Sequence, residues 1–161
     1  MHDATLCFLF REKPKKQILL AEKKRGFATG KLNGYGGKVA ENESIEEAAV
    51  RELFEESSIK ISVNDLEKVG EIAFIFPPEL KDKNWNQLVH VYFVKSFKGK
   101  PVETDEMKPE WFDIDNLPFE KMWSDDPHWL PLVLQNKKIK AKCIFKGKGE
   151  EIEKFELEEL R

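Results

Sequence analysis

Glu52, Glu55 and Glu56 stand at i, i+3 and i+4 in a stretch whose pattern predicts a helix. That spacing brings their carboxylates to one side. Like charges so placed repel by roughly a few tenths of a kcal/mol per pair unless a cation lies between them. Arg51 can pair with Glu55 four residues on, which leaves Glu52 and Glu56 uncompensated. Oxygen ligands of this kind suit a hard divalent cation, Mg²⁺ or Mn²⁺. A solvated acidic helix face has the same composition, so the cluster gains meaning only from what surrounds it.

Gly34-Tyr35-Gly36-Gly37-Lys38 lies shortly before that helix. Glycines let a backbone approach a ligand closely, and the amides and the lysine can meet phosphate oxygens. Alone, such a loop is more often a turn. Followed by three clustered carboxylates, it points to a phosphate site beside a metal site. An acidic site would repel phosphate, and a bridging divalent metal reconciles the two halves.

The elements that position these residues are legible. Thr5–Phe10 and Gln17–Ala21 read as strands, joined through the charged, Pro14-containing stretch Arg11–Lys16. Continuous apolar runs of this kind suit strands covered on both faces. Gly26 to Gly37 holds five of the nine glycines in twelve residues, an ordered or ligand-holding loop. Ser44 and Glu47 form a capping-box pattern, and Ile45, Ala48, Ala49 and Leu53 mark an apolar stripe, so a helix is predicted over Ser44–Ser57. Glu71–Phe76, with Ile72, Phe74 and Phe76 on one face, and Leu88–Phe97 read as strands around a polar loop, Pro77–Gln87. Trp111–Ile114 is a short strand, and Asp126-Pro127 offers an N-cap and N1 proline for a helix through Leu134. Lys142–Phe145 and Ile152–Leu157 flank Gly147-Lys148-Gly149 as a terminal hairpin. Strands with two inserted helices make an α/β or α+β domain with a mixed sheet.

At 161 residues the chain is one domain, 1–161, with 40% hydrophobic residues and a ring-rich core of twelve Phe and four Trp. Lys+Arg 27 against Asp+Glu 30 leaves a net charge of −3, which argues against nucleic acid as a partner, since that grip needs a basic excess. No apolar run approaches the roughly 20 residues of a membrane span, and Met1-His2-Asp3-Ala4 lacks the start of a signal peptide. Cys7 and Cys143 make no disulfide framework, and with three scattered His they make no zinc motif. The expectation is a cytoplasmic protein with no membrane contact.

Gly37, five residues, Glu43, seven residues, then Arg51-Glu52-Leu53-Phe54-Glu55-Glu56-Ser57-Ser58-Ile59 resembles the Nudix box. Every charged position and the first glycine match. Ser58 stands where the pattern has its second glycine; if that position needs positive φ, serine costs roughly 1–2 kcal/mol there. Beyond the box, Lys23-Lys24-Arg25-Gly26-Phe27, Asn33–Val39, Pro101–Met107 and Met122–Asp126 are similar to the 8-oxo-dGTP diphosphatase (oxidised purine nucleoside triphosphatase, MutT-type) subgroup. The similarity runs over roughly Thr5 to Phe145, with a longer stretch at Lys81–Gln87 that includes Trp85.

The resemblance implies an α/β/α sandwich with the box as loop–helix–loop, and hydrolysis of a nucleoside triphosphate to a monophosphate and pyrophosphate. It implies Glu52, Glu55 and Glu56 as Mg²⁺ ligands, helped by the Gly36 carbonyl and by Glu106 from a distant loop, with Mn²⁺ as a substitute. Arg51 would orient the glutamates, Glu43 would be structural, and Lys23 and Lys38 would meet phosphates. Thr5, Tyr35 and Gly37 join the substrate contacts. A guanine-type base shows N1–H and N2–H donors and an O6 acceptor. Asp125 and Asp126 can accept from the donors, and the Asn33 amide can donate to O6. Trp123 and Phe27 offer stacking faces, worth about 1–3 kcal/mol per base. Phe74 and Met107 suit a pocket wall or the core equally, and helix capping competes for Asp125-Asp126-Pro127.

Three readings stay open on the sequence. One is an oxidised-purine triphosphate diphosphatase, a monomer that sanitises the nucleotide pool and so averts DNA damage. Another is a Nudix hydrolase of unmodified triphosphates, ADP-ribose or dinucleoside polyphosphates. The last is a non-catalytic nucleotide-binding module. Intact Arg51, Glu52, Glu55 and Glu56 speak against the last, and Asn33, Trp123, Asp125 and Asp126 favour the first.

Overall fold

The structure is a computed structural model and describes residues 1–26, 28–83 and 85–160. The two apolar runs near the N-terminus form β1 (His2–Arg11) and β2 (Gln17–Lys23), an antiparallel pair with Leu9 opposite Leu19. Both faces of each strand are buried, as the absence of alternation required. Phe8, Phe10, Ile18 and Leu20 enter one core, and Leu9, Leu19 and Ala21 enter another.

The remaining strands are β3 (Leu32–Asn33), β4 (Glu67–Ile75), β5 (Gln87–Val94), β6 (Met107–Asp113), β7 (Lys138–Lys146) and β8 (Glu151–Leu160). Together they make a mixed sheet in the order β3-β2-β1-β5-β4-β7-β8, with β6 paired to β2. The pairs β1–β5 and β4–β7 are parallel. Helix α1 (Ile45–Ser57) covers one face, burying Ala48, Ala49 and Leu53. Helix α2 (Asp126–Leu134) covers the other with Trp129, Leu130 and Val133. The molecule is therefore the expected α/β/α sandwich around a mixed sheet.

Helix α1 starts where its capping box says it should. The Ser44 hydroxyl accepts from the Glu47 N–H at 3.1 Å, and the Glu47 carboxylate accepts from the Ser44 N–H at 2.9 Å. The helix ends at Ser58, which is left-handed (φ 67°, ψ 10°) and donates its N–H to the Phe54 carbonyl. That turn is normally glycine's, because an L side chain in it is strained.

Several boundaries differ from the sequence expectation. Strand β4 begins at Glu67, four residues early, because charged Glu67 and Lys68 pair with Phe93 and Tyr92 before a bulge at Lys68/Gly70; the bulge hides the alternation. It ends at Ile75, so Phe76 lies beyond the strand. Strand β5 stops at Val94, where the chain turns polar and exposed, and the expected loop after β4 contains a 3₁₀ turn, Pro78–Lys83. Strand β6 is longer than Trp111–Ile114 and contains Pro109, which an edge strand tolerates. Asp125, not Asp126, takes the N-cap position of α2. The terminal hairpin forms, with Gly147 and Gly149 both at positive φ in its turn.

Candidate active site

The glycine-rich segment lies against the start of β1. Thr5 donates its N–H to the Gly37 carbonyl at 2.9 Å, Cys7 exchanges backbone bonds with Tyr35, and Val39 donates to the Asp3 carbonyl. A Cβ at Gly36 would collide with the Thr5 carbonyl, and one at Gly37 would lie 2.5 Å from the Glu52 carboxyl carbon. Only glycine lets the segment thread between strand and helix.

Helix α1 then distributes its carboxylates unequally. Arg51 makes two bonds to Glu43, at 2.8 and 2.9 Å, and reaches Glu52 at 2.9 Å and Glu55 at 3.3 Å. It also donates to the Lys38 carbonyl. The expectation that Glu52 lacks compensation is thus corrected: one guanidinium serves three glutamates, because its planar fork presents several donors at once. The Arg51 guanidinium and the Ala40 N–H hold Glu43 down to about 2. Burial raises Glu52 despite Arg51.

Glu56 is the exception. It receives no ion pair among the described residues, and its carboxylate accepts the Gly36 N–H at 3.0 Å. Burial, with the charges of Glu52 and Glu106 behind it, pushes it up to about 7. A carboxylate held this way gains from a cation. Among the described residues no three Asp, Glu, His or Cys side chains close into a ready-made cage. Mg²⁺ commonly takes one or two carboxylates and completes its shell with water and substrate phosphates. The uncompensated Glu56, beside the threaded Gly36–Gly37 backbone and near Glu52 and Glu106, fits such an ion. Glu55 is exposed, and Glu106 is paired loosely with Arg25 at 3.4 Å.

A cavity of about 380 Å³ runs from Glu56 along the sheet to the start of α2. At one end it brings together Thr5, Lys23, Gly36, Gly37, Lys38, Glu56 and Glu106; at the other, Asn33, Phe74, Met107, Trp123, Asp125 and Asp126. Arg51, Glu52 and Glu55 lie outside it, behind the glycine segment. Tyr35 is a correction: it is fully buried under α1 with Leu9, Leu19 and Leu53, and so is core rather than substrate contact. Among the described residues its hydroxyl has no hydrogen-bond partner, and burial raises it well above the usual tyrosine range. Phe27 lies outside the described residues. A larger cavity, about 610 Å³, sits beyond Phe76 and Phe145 and holds none of the chemistry-bearing residues above.

The far end of the cavity is built from carboxyls treated in the opposite way. Asp125 and Asp126 are 3% and 2% exposed. From the N-cap position Asp125 makes no side-chain capping bond to α2; it accepts the Trp129 indole N–H at 2.8 Å. Asp126 accepts the Trp123 N–H at 3.2 Å. Burial first, then the charge of Asp125, lifts Asp126 well above the carboxylate range, and the two carboxyls hydrogen-bond each other. The pair therefore takes up a proton more readily than exposed carboxylates do. Opposite them, the Asn33 oxygen accepts the Gly34 N–H at 2.8 Å, which leaves the amide NH₂ as its free donor.

Sequence reasoning missed several residues of the site. Trp129, at i+4 from Asp125, carried a usable signal, because a buried indole N–H needs an acceptor. Lys31, Phe76, Gln87 and Phe145 also line the cavity, and only the pairing of β4, β5 and β7 brings the last three there. No helix among the described residues is long and apolar enough to cross a membrane.

A family model described as the NUDIX domain matches residues 1–133. The chain is 48% identical over 133 residues to the oxidized purine nucleoside triphosphate hydrolase of Danio rerio, covering 81% of this chain and 80% of that protein. Its identity to the protein of the same description from Mus musculus is 48% over 126 residues, 77% of this chain and 76% of the other. Among solved structures, the Mutator MutT protein from Bacillus halodurans superposes with a TM-score of 0.80 at 22% identity, covering 98% of this chain and 97% of that one. At that identity the likeness speaks to the fold.

Proposed function

The chain belongs to the NUDIX family of hydrolases, and from that premise we propose that it hydrolyses oxidised purine nucleoside triphosphates, of the 8-oxo-dGTP type, to the monophosphate and pyrophosphate. The observation that carries this is the single cavity with Glu56 and Lys23 at one end and Asn33, Asp125 and Asp126 at the other. The names of the two animal relatives support the same substrate class.

The phosphate end would be held by Lys23, Lys38 and the amides of the threaded glycine segment. Mg²⁺, or Mn²⁺ in its place, would be held by Glu56, Glu52, Glu55, Glu106 and the Gly36 carbonyl, and would neutralise the phosphates and activate the attacking water. Arg51 holds Glu43 down to about 2 and fixes Glu43 and Glu52 in direction. Glu56, raised by burial and by the charges of Glu52 and Glu106, is the carboxylate that gains most from the metal cation. At the base end, Asn33 donates to O6, the Asp pair meets N1–H and N2–H, and Trp123 and Phe74 close over the ring. We infer a single-domain, cytoplasmic monomer acting on small nucleotides; the near balance of 27 cationic and 30 anionic residues speaks only against nucleic acid as a partner.

A steady-state panel tests this reading. With Mg²⁺ present, 8-oxo-dGTP should give monophosphate and pyrophosphate at a higher kcat/KM than dGTP, ADP-ribose or a dinucleoside polyphosphate, and excess EDTA should abolish turnover. Undiminished activity in EDTA, or preference for ADP-ribose, would overturn it.

A further inference from the structure

Glu106 is the one carboxylate of the proposed metal set that α1 does not carry. It lies between β5 and β6 and lines the cavity with Glu56. Its side chain is exposed and meets Arg25 loosely at 3.4 Å, so its direction is set by its backbone. That backbone is gripped from two sides. From within, the Thr104 hydroxyl accepts the Glu106 N–H at 3.2 Å and the Met107 N–H at 3.0 Å, and the Thr104 N–H donates to the Met107 carbonyl at 2.9 Å. These bonds close a tight turn over 104–107.

From outside, Lys24 completes the hold. Its N–H donates to the Glu106 carbonyl at 2.8 Å. Its ammonium donates to the Thr104 carbonyl at 2.9 Å and to the Glu103 carboxylate at 2.8 Å. Lys23, one residue earlier, lines the cavity, whereas Lys24 reaches the loop. The loop is also tied to α1, because the Val102 N–H donates to the Ser57 carbonyl at 2.9 Å. It is thus strung between the helix that carries Glu52, Glu55 and Glu56 and the lysine that follows β2.

We propose that Lys24 is a positioning residue for the metal: its ammonium, on the Thr104 carbonyl and Glu103, latches the turn that presents Glu106 to the ion. This rests on the reading of Glu106 as a metal ligand. A bare charge effect would have the opposite sign. Removing Lys24 takes away a cation and frees the Glu103 carboxylate, which makes the region more negative and should tighten a divalent ion. A latch predicts weaker binding, because the turn loses its outer hold while the bonds to the Thr104 hydroxyl remain.

The test is Mn²⁺ binding, read by electron paramagnetic resonance, with the Mg²⁺ dependence of turnover alongside. The proteins are wild type, Lys24→Met, Lys24→Arg, Glu106→Gln and the double variant of Lys24→Met with Glu106→Gln. Lys24→Met should weaken Mn²⁺ binding by about fivefold, the scale of a lost hydrogen bond. It should raise the Mg²⁺ concentration for half-maximal turnover to match and leave kcat at saturating Mg²⁺ unchanged. Lys24→Arg, which keeps charge and donors, should bind as wild type does. In the Glu106→Gln background Lys24→Met should add nothing, since the latch acts through Glu106. Unchanged or tighter binding in Lys24→Met, with weaker binding in Glu106→Gln, overturns the latch alone. A further, additive loss in the double variant also overturns it and makes Lys24 a prop of the fold. Wild-type binding in Glu106→Gln overturns the reading of Glu106 as a ligand, and the latch with it.

Discussion

The two ends of the cavity are both built on carboxyl groups, and they treat charge in opposite ways. On α1, Arg51 binds Glu43, Glu52 and Glu55 and offsets their negative charge, holding Glu43 down to about 2. At the start of α2, Asp125 and Asp126 are buried and lie close together, and the conflict is relieved when the pair shares a proton. An ionised cluster suits a metal and a polyphosphate. A pair that shares a proton offers both donor and acceptor, which suits the edge of a base. Glu56 lies between these regimes, buried like the aspartates but belonging to the glutamate cluster, and it is pushed up to about 7. Residue type alone therefore does not assign a role here; the nearest cation and the depth of burial do.

The sharpest way to break the contrast is at Glu56. Glu56→Gln should lower turnover by at least about 10²-fold on every triphosphate alike, the scale of a lost metal ligand or base, with circular dichroism unchanged. A variant that keeps wild-type turnover would move the chemistry elsewhere on α1. Next in size are Asp125→Asn and Asp126→Asn. Each leaves an unpaired group in a buried base site, at about 1–3 kcal/mol, so roughly tenfold losses in kcat/KM are expected, unequal between oxidised guanine and oxidised adenine. Equal losses would make the pair a structural feature of α2.

The contrast also predicts the pH dependence of stability in metal-free protein. Glu56, Asp125 and Asp126 are raised, so the folded state binds protons more tightly than the unfolded one. Stability should fall as pH rises from the ordinary carboxylate range through about 7 for Glu56. Glu43 has the opposite sign: held down to about 2, it contributes stability above the ordinary glutamate value that is lost as pH falls toward 2. Denaturant melts should place the metal-free optimum on the acid side of neutral, and Glu56→Gln should flatten the alkaline fall. An optimum unmoved by Glu56→Gln would contradict the assigned burial.

The smallest effect lies at the end of α1. Ser58 is left-handed, at φ 67°, so Ser58→Gly should stabilise by about 1 kcal/mol, a rise of roughly 2–4 °C in Tm, with kcat unchanged. A fall in Tm would mean that the Ser58 side chain contributes more than its backbone strain costs.

Most of the phosphate end was legible in the sequence because it is local. The capping box, the i, i+3, i+4 glutamates and the glycines lie within a short stretch, and helix geometry alone brings them together. The base end was legible only through the resemblance, since Asn33, Phe74 and Asp126 meet through the sheet. What failed were facts of packing. Tyr35 sits among chemistry-bearing residues in sequence, yet its ring turns under α1, because neighbours along an extended segment point to opposite sides. Trp129 looks ordinary until the α2 turn brings it to Asp125. The β4 boundary was hidden by a bulge, and Arg51 reaching Glu52 depends on a rotamer that spacing does not specify.

One measurement tests the division of labour most directly: the ratio of kcat/KM for 8-oxo-dGTP to that for dGTP, in wild type, Glu56→Gln and Asp126→Asn. The account predicts a ratio well above one in wild type, the same ratio at much lower absolute activity in Glu56→Gln, and a ratio reduced by roughly tenfold in Asp126→Asn. A wild-type ratio near one, or a ratio that Asp126→Asn leaves intact, would contradict it.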